Sequence, residues 1–201
     1  MNLSTMRTLV RRDLKDEDNS NYRWQDNEID RAIGRAVAEL SRYIPREMKV
    51  TIATIDGSRE IDISTLTDRV SVDRIEFPVG ESPRRFQRFV VYSDAITLVG
   101  DAEGDGGTCY IYWSKVHTLD GSTSTVPGHL EDVLALGAAA YAVLAQAQYR
   151  SDVAGIGGDR ADNDYQSWGA AMLKEFKSQL RRFGKGRKLK ISQFYQGDDK
   201  E

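Results

Sequence analysis

The segment LEDVLALGAAAYAVLAQAQYR, residues 130–150, decides the fold because it is the least polar stretch of the chain. Its seven alanines and Gly137 separate large apolar side chains that point in several directions around a helix. A helix with one side exposed to solvent would show a single apolar stripe. Because this segment is apolar in several directions, it is predicted to be covered on most of its circumference. Glu131, Asp132 and Gln146 leave it shorter than the roughly 20 apolar residues that span a bilayer. We therefore expect a core helix and no membrane segment.

Three further helices are predicted from apolar residues that recur three or four positions apart. Together with the core helix, the expected ranges are about 2–15, 26–45 and 128–149, and a last helix whose apolar stripe covers 165–183. Proline interrupts a helix and glycine often ends one. Pro45, Gly184 and Gly186 are therefore expected to mark helix ends.

The start of the second helix carries two acidic residues, Asp26 and Glu28. Aspartate often caps a helix, because its carboxylate accepts a hydrogen bond from a first-turn amide. Glu28 adds negative charge beside the unsatisfied amides of the same turn. Asp26 is therefore predicted to be the N-cap of this helix.

Between the second and third helices the apolar period changes from about 3.6 residues to two, which is typical of strands. Val50 and Ile52 alternate with threonines, and Ile61 alternates with acids after the turn signal at Asp56 and Gly57. Further strands are predicted at residues 69–77, 86–92, 95–99 and 108–113. Five or six short strands joined by short turns indicate an antiparallel sandwich or barrel.

The predicted fold class is α+β: a four-helix bundle-like domain with an inserted antiparallel β-sandwich or barrel subdomain and an extended C-terminal tail. The expected segments are 1–48 for the first helix pair, 49–117 for the β subdomain, 118–183 for the second helix pair and 184–201 for the tail. Three short helices leave part of the core helix uncovered, so another copy of the protein is expected to cover the rest.

Composition excludes several classes of protein. The chain has 201 residues and a formal net charge of -3, which fits an ordinary globular protein. One cysteine allows no intrachain disulfide, and with only two histidines a His/Cys metal cluster is hard to build. The N-terminus carries arginines but no secretory cleavage pattern, so a cytosolic protein is expected.

No constellation in the sequence predicts catalysis, a cofactor or a metal. The loop 101–107 lacks the glutamate that a calcium-binding EF-hand needs, and the glycines at 155–158 have no following Lys-Ser/Thr pair. Cys109 alternates with apolar residues and is expected to be buried and inert. One binding-module alternative remains, in which Tyr110 and Trp113 form a platform for a sugar.

The C-terminal segment is strongly basic. Six positive charges fall within ten residues, between Arg181 and Lys190. The alternation of Leu189 and Ile191 suggests a segment that adds as a strand to the exposed sheet edge of a partner, with aromatic anchors behind it. A solvated, unstructured tail is the plain alternative. The same charges would also suit DNA phosphates, although the slightly negative chain argues against a dedicated nucleic-acid binder.

Two strings carry a resemblance to a known family: YRWQDNEIDRAIGRAVAELSRYIP, residues 22–45, and TVPGHLEDVLALGAAAYAVLAQAQYR, residues 125–150. With the order helix pair, β insertion, helix pair and tail, the chain resembles the head-to-tail connector, or adaptor, proteins of tailed bacteriophages. Family members often have Ser or Thr where Gln25 stands here, which leaves the capping to Asp26.

The resemblance implies a structural virion protein without enzymatic activity. It implies a homo-oligomeric ring, often a dodecamer, that docks under the portal protein, extends the channel for genomic DNA and offers an attachment surface to a downstream tail protein. The implied location is the head–tail interface, after assembly in the host cytoplasm. The alternative function is a DNA-packaging accessory protein that binds nucleic acid through the basic C-terminal segment.

The resemblance also directs attention to two sets of residues. The tail that would bind the portal comprises Arg181, Arg182, Lys185, Arg187, Lys188, Leu189, Lys190, Ile191, Phe194 and Tyr195. A ring requires contacts in which one face of a subunit meets a different face of the next. The candidate subunit contacts on the third and fourth helices are Gly137, Tyr141, Leu144 and Trp168.

Overall fold

A computed structural model describes residues 1–153 and 161–192, with side chains described for 1–148 and 164–184. The fold is α+β, as predicted, with four α-helices and two antiparallel sheets among the described residues. The chain divides into two compact units. We call Met1–Ile44 with His117–Glu201 the helical unit, and Pro45–Val116 the β unit.

The helical unit is built around the apolar segment identified in the sequence. Its helices are α1 Leu3–Asp13, α2 Asp26–Tyr43, α3 Glu131–Val153 and α4 Ala161–Ser192, with a 3-10 turn at Gly128–Leu130. Helix α3 packs against each of α1, α2 and α4. Most described residues of α3 are buried, so helices of the same chain provide most of the coverage that was expected in part from another copy.

Residues 128–148 are long and apolar enough to cross a membrane by length and composition, so the expectation that this segment is too short to span a bilayer was wrong. However, 61% of the most apolar window of this stretch is buried inside the protein. The core residues Leu134, Ala138 and Val143 are fully covered by neighbouring helices. This burial is the behaviour of a core helix, as the sequence predicts.

Glycines allow α3 and α4 to approach closely. A Cβ atom at Gly137 would lie 2.6 Å from the Phe176 ring atoms Cε2 and Cζ. A Cβ atom at Gly169 would lie 2.9 Å from Cγ of Leu144. Such distances leave no room for a methyl group, so the small residues of α3 and α4 serve packing inside the chain.

A buried ion pair fixes the connection between α1 and α2. Arg11, only 5% exposed, donates to Asp16 at 2.7 Å and to the Trp24 carbonyl at 3.0 Å. The Asp16 carboxylate also accepts the backbone N–H groups of Arg23 and Trp24. Burial of both charges is tolerated because each has several hydrogen-bond partners. The Trp24 indole then reaches the Ala142 carbonyl on α3 at 3.2 Å.

The predicted N-cap of α2 was wrong by one residue. Gln25 is the N-cap, and its backbone N–H donates to the Glu28 carboxylate at 2.7 Å. Asp26 is the first helical residue, and its carboxylate accepts hydrogen bonds from Arg7 and Arg11 of α1. Those arginines lie on another helix, so the sequence pattern around Asp26 did not reveal them.

The β unit contains seven strands. They are β1 Arg46–Ala53, β2 Glu60–Asp62, β3 Arg69–Glu76, β4 Phe86–Gln87, β5 Phe89–Tyr92, β6 Ala95–Leu98 and β7 Thr108–Lys115. One sheet has the order β1-β7-β3-β4 and the other β2-β6-β5, so the strands do not close into the alternative barrel. Apolar residues of both sheets form one core, including Ile61, Ile96, Ile75, Ile111 and Trp113.

The predicted strands are confirmed, with one difference. The segment predicted as a single strand over 86–92 is divided at Arg88 into β4 and β5, which belong to different sheets. Phe86 pairs with Glu76 of β3, whereas Phe89 pairs with Leu98 of β6. The alternation of apolar residues gives no sign of this division, because both halves keep the period of two.

The end of the last helix also differs from the prediction. Helix α4 continues through Gly184 and Gly186 to Ser192, so the extended tail predicted from residue 184 is helical as far as 192. Gly184 does not have the positive φ of a helix-ending glycine. Instead, a Cβ atom there would lie 3.1 Å from the Tyr43 carbonyl oxygen, so this glycine lets α4 pass close to the end of α2.

Candidate interaction surfaces

The four candidate subunit contacts lie in different surroundings. Gly137 is buried beneath Phe176 of the same chain, so its surface is not available to a neighbouring subunit. Leu144 is half-buried, and Gly169 of α4 lies against it. Trp168 is 40% exposed, with its ring centroid 6.3 Å from that of Tyr165. Leu144 and Trp168 therefore remain candidates, and Gly137 is accounted for inside the chain.

Tyr141 lies in a groove between α2 and α3. The groove has a volume of about 300 Å³ and is lined by residues that include Arg31, Arg35 and Gln146. The Arg35 guanidinium lies over the Tyr141 ring, with Cζ 4.6 Å from the ring centroid. Burial raises the pKa of the Tyr141 hydroxyl above its ordinary value. The groove thus combines an aromatic wall with two arginines, which suits a side chain or segment from a neighbouring protein.

The basic end of α4 begins with exposed residues. Arg181 and Arg182 are exposed, and Phe183 is 43% exposed with its ring 6.2 Å from that of His129. The backbone of Lys185, Arg187, Lys188, Leu189, Lys190 and Ile191 continues the helix. Phe194 and Tyr195 lie outside the described residues.

A helical backbone changes how this segment can bind. In a strand, Leu189 and Ile191 would share a face, because side chains alternate. In a helix of 3.6 residues per turn, positions two apart lie on nearly opposite sides. The expected strand addition was therefore wrong for this part of the tail, which ends at Ser192 in the described chain. The segment instead offers a basic helix to a partner.

The proposed sugar platform is contradicted by the β unit. Trp113 is 6% exposed and faces the core, whereas Tyr110, three residues earlier on β7, faces the opposite side of the sheet. Lys49 covers Tyr110 with its Nζ 3.5 Å from the ring centroid. The two aromatic rings therefore cannot form one stacking surface.

The candidate metal and cysteine positions have structural surroundings in the described part of the chain. Among the described residues, no group of three or more His, Cys, Asp or Glu side chains could hold a metal ion. Cys109 is fully buried, and burial raises the pKa of its thiol, which disfavours the reactive thiolate. In the loop before β7, the Asp105 carboxylate accepts from Thr54 and from the Gly107 N–H, which makes it a structural turn.

Both histidines of the chain belong to the helical unit, and each has a packing environment. The buried His117 has Nδ1 2.9 Å from the Thr125 carbonyl oxygen and Nε2 3.0 Å from the Ile44 carbonyl oxygen. It therefore joins the two places where the chain leaves and re-enters the helical unit. His129 packs near Phe183, as described above.

One surface was missed by sequence reasoning. Arg84, Arg85 and Arg88 are all exposed around β4, at one edge of the β unit. Val90 and Tyr92 of the neighbouring edge strand β5 are 58% and 83% exposed. The string SPRRFQRFVVY, residues 82–92, carries the signal, because it combines three arginines with five large apolar or aromatic residues, at the start of and along the predicted strand 86–92. Only the tertiary structure shows that this strand is an edge.

Comparison with known proteins gives one clear result. A family model with the description SU10 adaptor protein matches residues 1–189. The matched range contains α1 to α3, all seven strands and α4 up to residue 189. A search of the curated proteins finds no match.

Proposed function

Because the chain belongs to the SU10 adaptor protein family, a family of phage head–tail adaptors, we propose that it forms a ring of identical copies at the head–tail interface. The ring, often a dodecamer in such connectors, docks beneath the portal protein and extends the channel for genomic DNA. Its far side receives a downstream tail protein. Assembly takes place in the host bacterial cytoplasm, and the protein acts by binding, without catalysis.

The observation that carries this proposal is the extent of the family match. It covers residues 1–189, which includes the helical unit up to the basic part of α4 and the whole β unit. A partial match would leave one unit free to carry an unrelated function. With both units matched, the adaptor function accounts for the whole described architecture.

The close packing of the helical unit supports a role as a ring subunit. A closed ring requires a fixed angle between heterologous faces of neighbouring subunits. The buried Arg11–Asp16 pair fixes the α1–α2 connection, and the close α3–α4 approach at Gly137 fixes the second pair of helices. We propose Tyr141, Leu144 and Trp168 as contacts between neighbouring subunits, with Gly137 acting through the packing of α3 on α4.

The portal contact is proposed for the basic end of α4. Six cations lie on α4: Arg181, Arg182, Lys185, Arg187, Lys188 and Lys190. The proposed apolar anchors are Leu189 and Ile191 of the same helix, and Phe194 and Tyr195 later in the chain. Charged residues steer association and apolar anchors hold the complex. A basic helix can dock on an acidic surface of the portal protein, and one of Leu189 and Ile191, which lie on nearly opposite sides of the helix, then faces that surface.

A pair of matched variants tests the portal contact. Arg187→Gln with Lys190→Gln removes two cations from the basic end of α4, whereas Lys174→Gln with Lys177→Gln removes two cations with the same spacing from the middle of the helix. We expect at least tenfold weaker binding of the first variant to purified portal, and unchanged binding of the second. Equal binding by both variants would contradict the portal contact.

The proposed function as a whole is tested in phage particles. Particles that lack the protein are expected to lose packaged DNA and to carry no tails, because the ring both seals the channel and provides the tail surface. Electron microscopy of mutant lysates measures both properties. Tailed, DNA-filled particles without the protein would exclude an adaptor function.

A DNA-packaging accessory protein is the second candidate, and the exposed Arg181 and Arg182 are the observation that favours it. Such a protein would hold duplex DNA through phosphate contacts, and its affinity would fall steeply with salt. A connector must let DNA pass, so we expect weak retention of DNA at physiological salt. A filter-binding titration over salt concentration separates the two functions.

A further inference from the structure

The two edges of the three-stranded sheet differ in charge. Strand β5 forms one edge and β2 forms the other, with β6 between them. The exposed Arg88 directly precedes β5, and the exposed Arg84 and Arg85 precede β4, which continues into β5 but forms the edge of the four-stranded sheet. Arg85 is paired with Glu81 at 2.7 Å, while Arg84 and Arg88 form no salt bridge among the described residues. The β5 edge therefore carries an excess of positive charge.

The same edge exposes apolar side chains. Val90 and Tyr92 of β5 lie on the outer face of the sheet, opposite Thr97 and Ala95 of β6. They are 58% and 83% exposed, and Val99, which follows β6, is 48% exposed. Exposed apolar residues that occur singly are normal on a protein surface, whereas a group of them marks an interaction site. Aromatic residues and arginines are also enriched at protein interfaces.

The opposite edge is acidic. Glu60 and Asp62 are exposed on β2, and Asp56 is exposed in the preceding turn. The Ser64 N–H donates to Asp62 and lowers the pKa of its carboxyl, so this group keeps its negative charge to a lower pH than an ordinary aspartate. Arg59, which directly precedes β2, forms a salt bridge with Glu103 at 2.9 Å. The β2 edge therefore carries an excess of negative charge.

We infer that the β5 edge of one copy binds the β2 edge of the next copy, so that the β units contribute a heterologous contact to the ring. The occupant is a second copy because one sheet carries both complementary edges on opposite sides, and repeating such a contact generates a ring. The inference rests on the proposed function, which supplies the ring, and it adds the surfaces that join its subunits.

The contact is made by side chains rather than by continuous strand pairing. The backbone N–H of Glu60 on β2 is already satisfied by the Ser58 hydroxyl at 3.1 Å. Because this amide is already occupied, it is not available to an added strand, and we place the contact in the side chains. Arg88, with Arg84 at the adjoining β4 edge, therefore meets Glu60 and Asp62 of the next copy, and Val90 and Tyr92 are covered in the process.

Charge reversal provides the main test. One variant carries Arg84→Glu with Arg88→Glu, a second carries Glu60→Arg with Asp62→Arg, and a third combines all four substitutions. Each is prepared as the full chain, checked for folding by circular dichroism, and mixed with portal particles. The number of copies per portal is counted by mass photometry, and Arg12→Glu with Lys174→Glu, two exposed cations of the helical unit, serves as the control.

The expected results follow from complementarity. Each two-residue reversal makes both edges alike and is expected to reduce complete rings at least tenfold, whereas the fourfold variant restores complementarity and assembles. A mixture of the two reversed proteins is also expected to assemble, because an acidic copy can alternate with a basic one. Rings formed normally by either reversed variant alone, or no recovery in the fourfold variant, would overturn the inference.

Cross-linking gives a second, independent measurement. Arg88→Cys and Glu60→Cys in one chain are expected to give a ladder of disulfide-linked multimers on the portal, whereas either cysteine alone gives none. The native Cys109 is buried and does not interfere. Dimers from the Arg88→Cys variant alone would mean that the β5 edge meets itself, which overturns the inference.

The wild-type protein separates the two proposals. If it forms complete rings on the portal while the reversed variants also do so, the edge contact is wrong and the adaptor function stands. If the wild-type protein binds no portal and forms no multimer, the proposed function fails, and the edge contact fails with it.

Discussion

Gly137 shows how one residue sets the distance between two helices. A methyl group at this position would lie 2.6 Å from the Phe176 ring, and Phe176 is itself fully buried. We predict that Gly137→Ala lowers the free energy of unfolding by about 1–3 kcal/mol, because overpacking forces the helices apart. Chemical denaturation measures this change.

A second glycine on a helix serves as the control. Gly34 is exposed within α2, and no atom lies within 4 Å of the place where its Cβ would be. Gly34→Ala is expected to raise the free energy of unfolding by about 0.4–1 kcal/mol, because alanine restricts the unfolded chain. Equal effects of the two substitutions would show that α3 and α4 are not closely packed.

Asp16 is expected to be one of the residues most important for stability. Its carboxylate is bound by Arg11 and by the backbone N–H groups of Arg23 and Trp24. We predict that Asp16→Ala lowers the free energy of unfolding by about 3–5 kcal/mol, because it removes the buried partner of Arg11 and leaves the N–H groups of Arg23 and Trp24 without their acceptor. Glu17→Ala removes an exposed carboxylate 3.7 Å from Arg12 and is expected to cost about 0–1 kcal/mol.

Asp26 links stability to pH. The hydrogen bond from Arg11, supported by the charge of Arg7, lowers the pKa of the Asp26 carboxyl below its ordinary value. A lowered pKa stabilises the folded state above the unfolded pKa of about 3.9, and this contribution is lost as pH falls through the folded pKa. Asp26→Asn is expected to reduce the loss of stability below about pH 4, measured by denaturation at several pH values. Asp101→Asn, in an exposed loop of the β unit, is the control.

At the scale of elements, α4 differs most from its sequence pattern. Two glycines near residue 185 predicted an end, but the helix continues to Ser192. Glycine disfavours a helix by only about 1 kcal/mol, which packing of Gly184 against Tyr43 can offset. The glycine signal is reliable for a helix end only where the residue has a positive φ.

The continuation of α4 can be tested directly. Gly186→Ala is expected to slow amide hydrogen exchange in residues 187–192, because alanine favours the helix. Gly186→Pro is expected to speed exchange in the same residues and to weaken portal binding at least tenfold, because it breaks the helix that presents the cations. If neither substitution changes exchange, the segment is not helical in solution.

For the whole molecule, the two units have separate cores. The core of the helical unit includes Leu134 and Phe176, and that of the β unit includes Ile75 and Ile111. Neither core contains a residue of the other unit. Ile111→Ala is therefore expected to cost about 2–5 kcal/mol and to increase amide exchange mainly in the β unit. Leu134→Ala is the matched substitution for the helical unit, and identical exchange patterns would contradict two separate cores.

The sequence alone determined the class of the fold and the limits of most elements. The apolar segment 130–150 predicted a covered core helix, and the change of period at Lys49 predicted the strands, because periodicity reports which side chains a local backbone places together. The motifs around α2 and α3 also predicted the adaptor family that the comparison confirms.

Only the tertiary structure decided what lies against what. It showed that Asp26 binds arginines from α1, that Phe86–Tyr92 is shared by two sheets, and that Gly137 packs against Phe176. It also placed Arg88, next to β5, and the acidic residues of β2 at opposite edges of one sheet. These features depend on contacts between residues far apart in the chain, and local periodicity contains no information about such contacts.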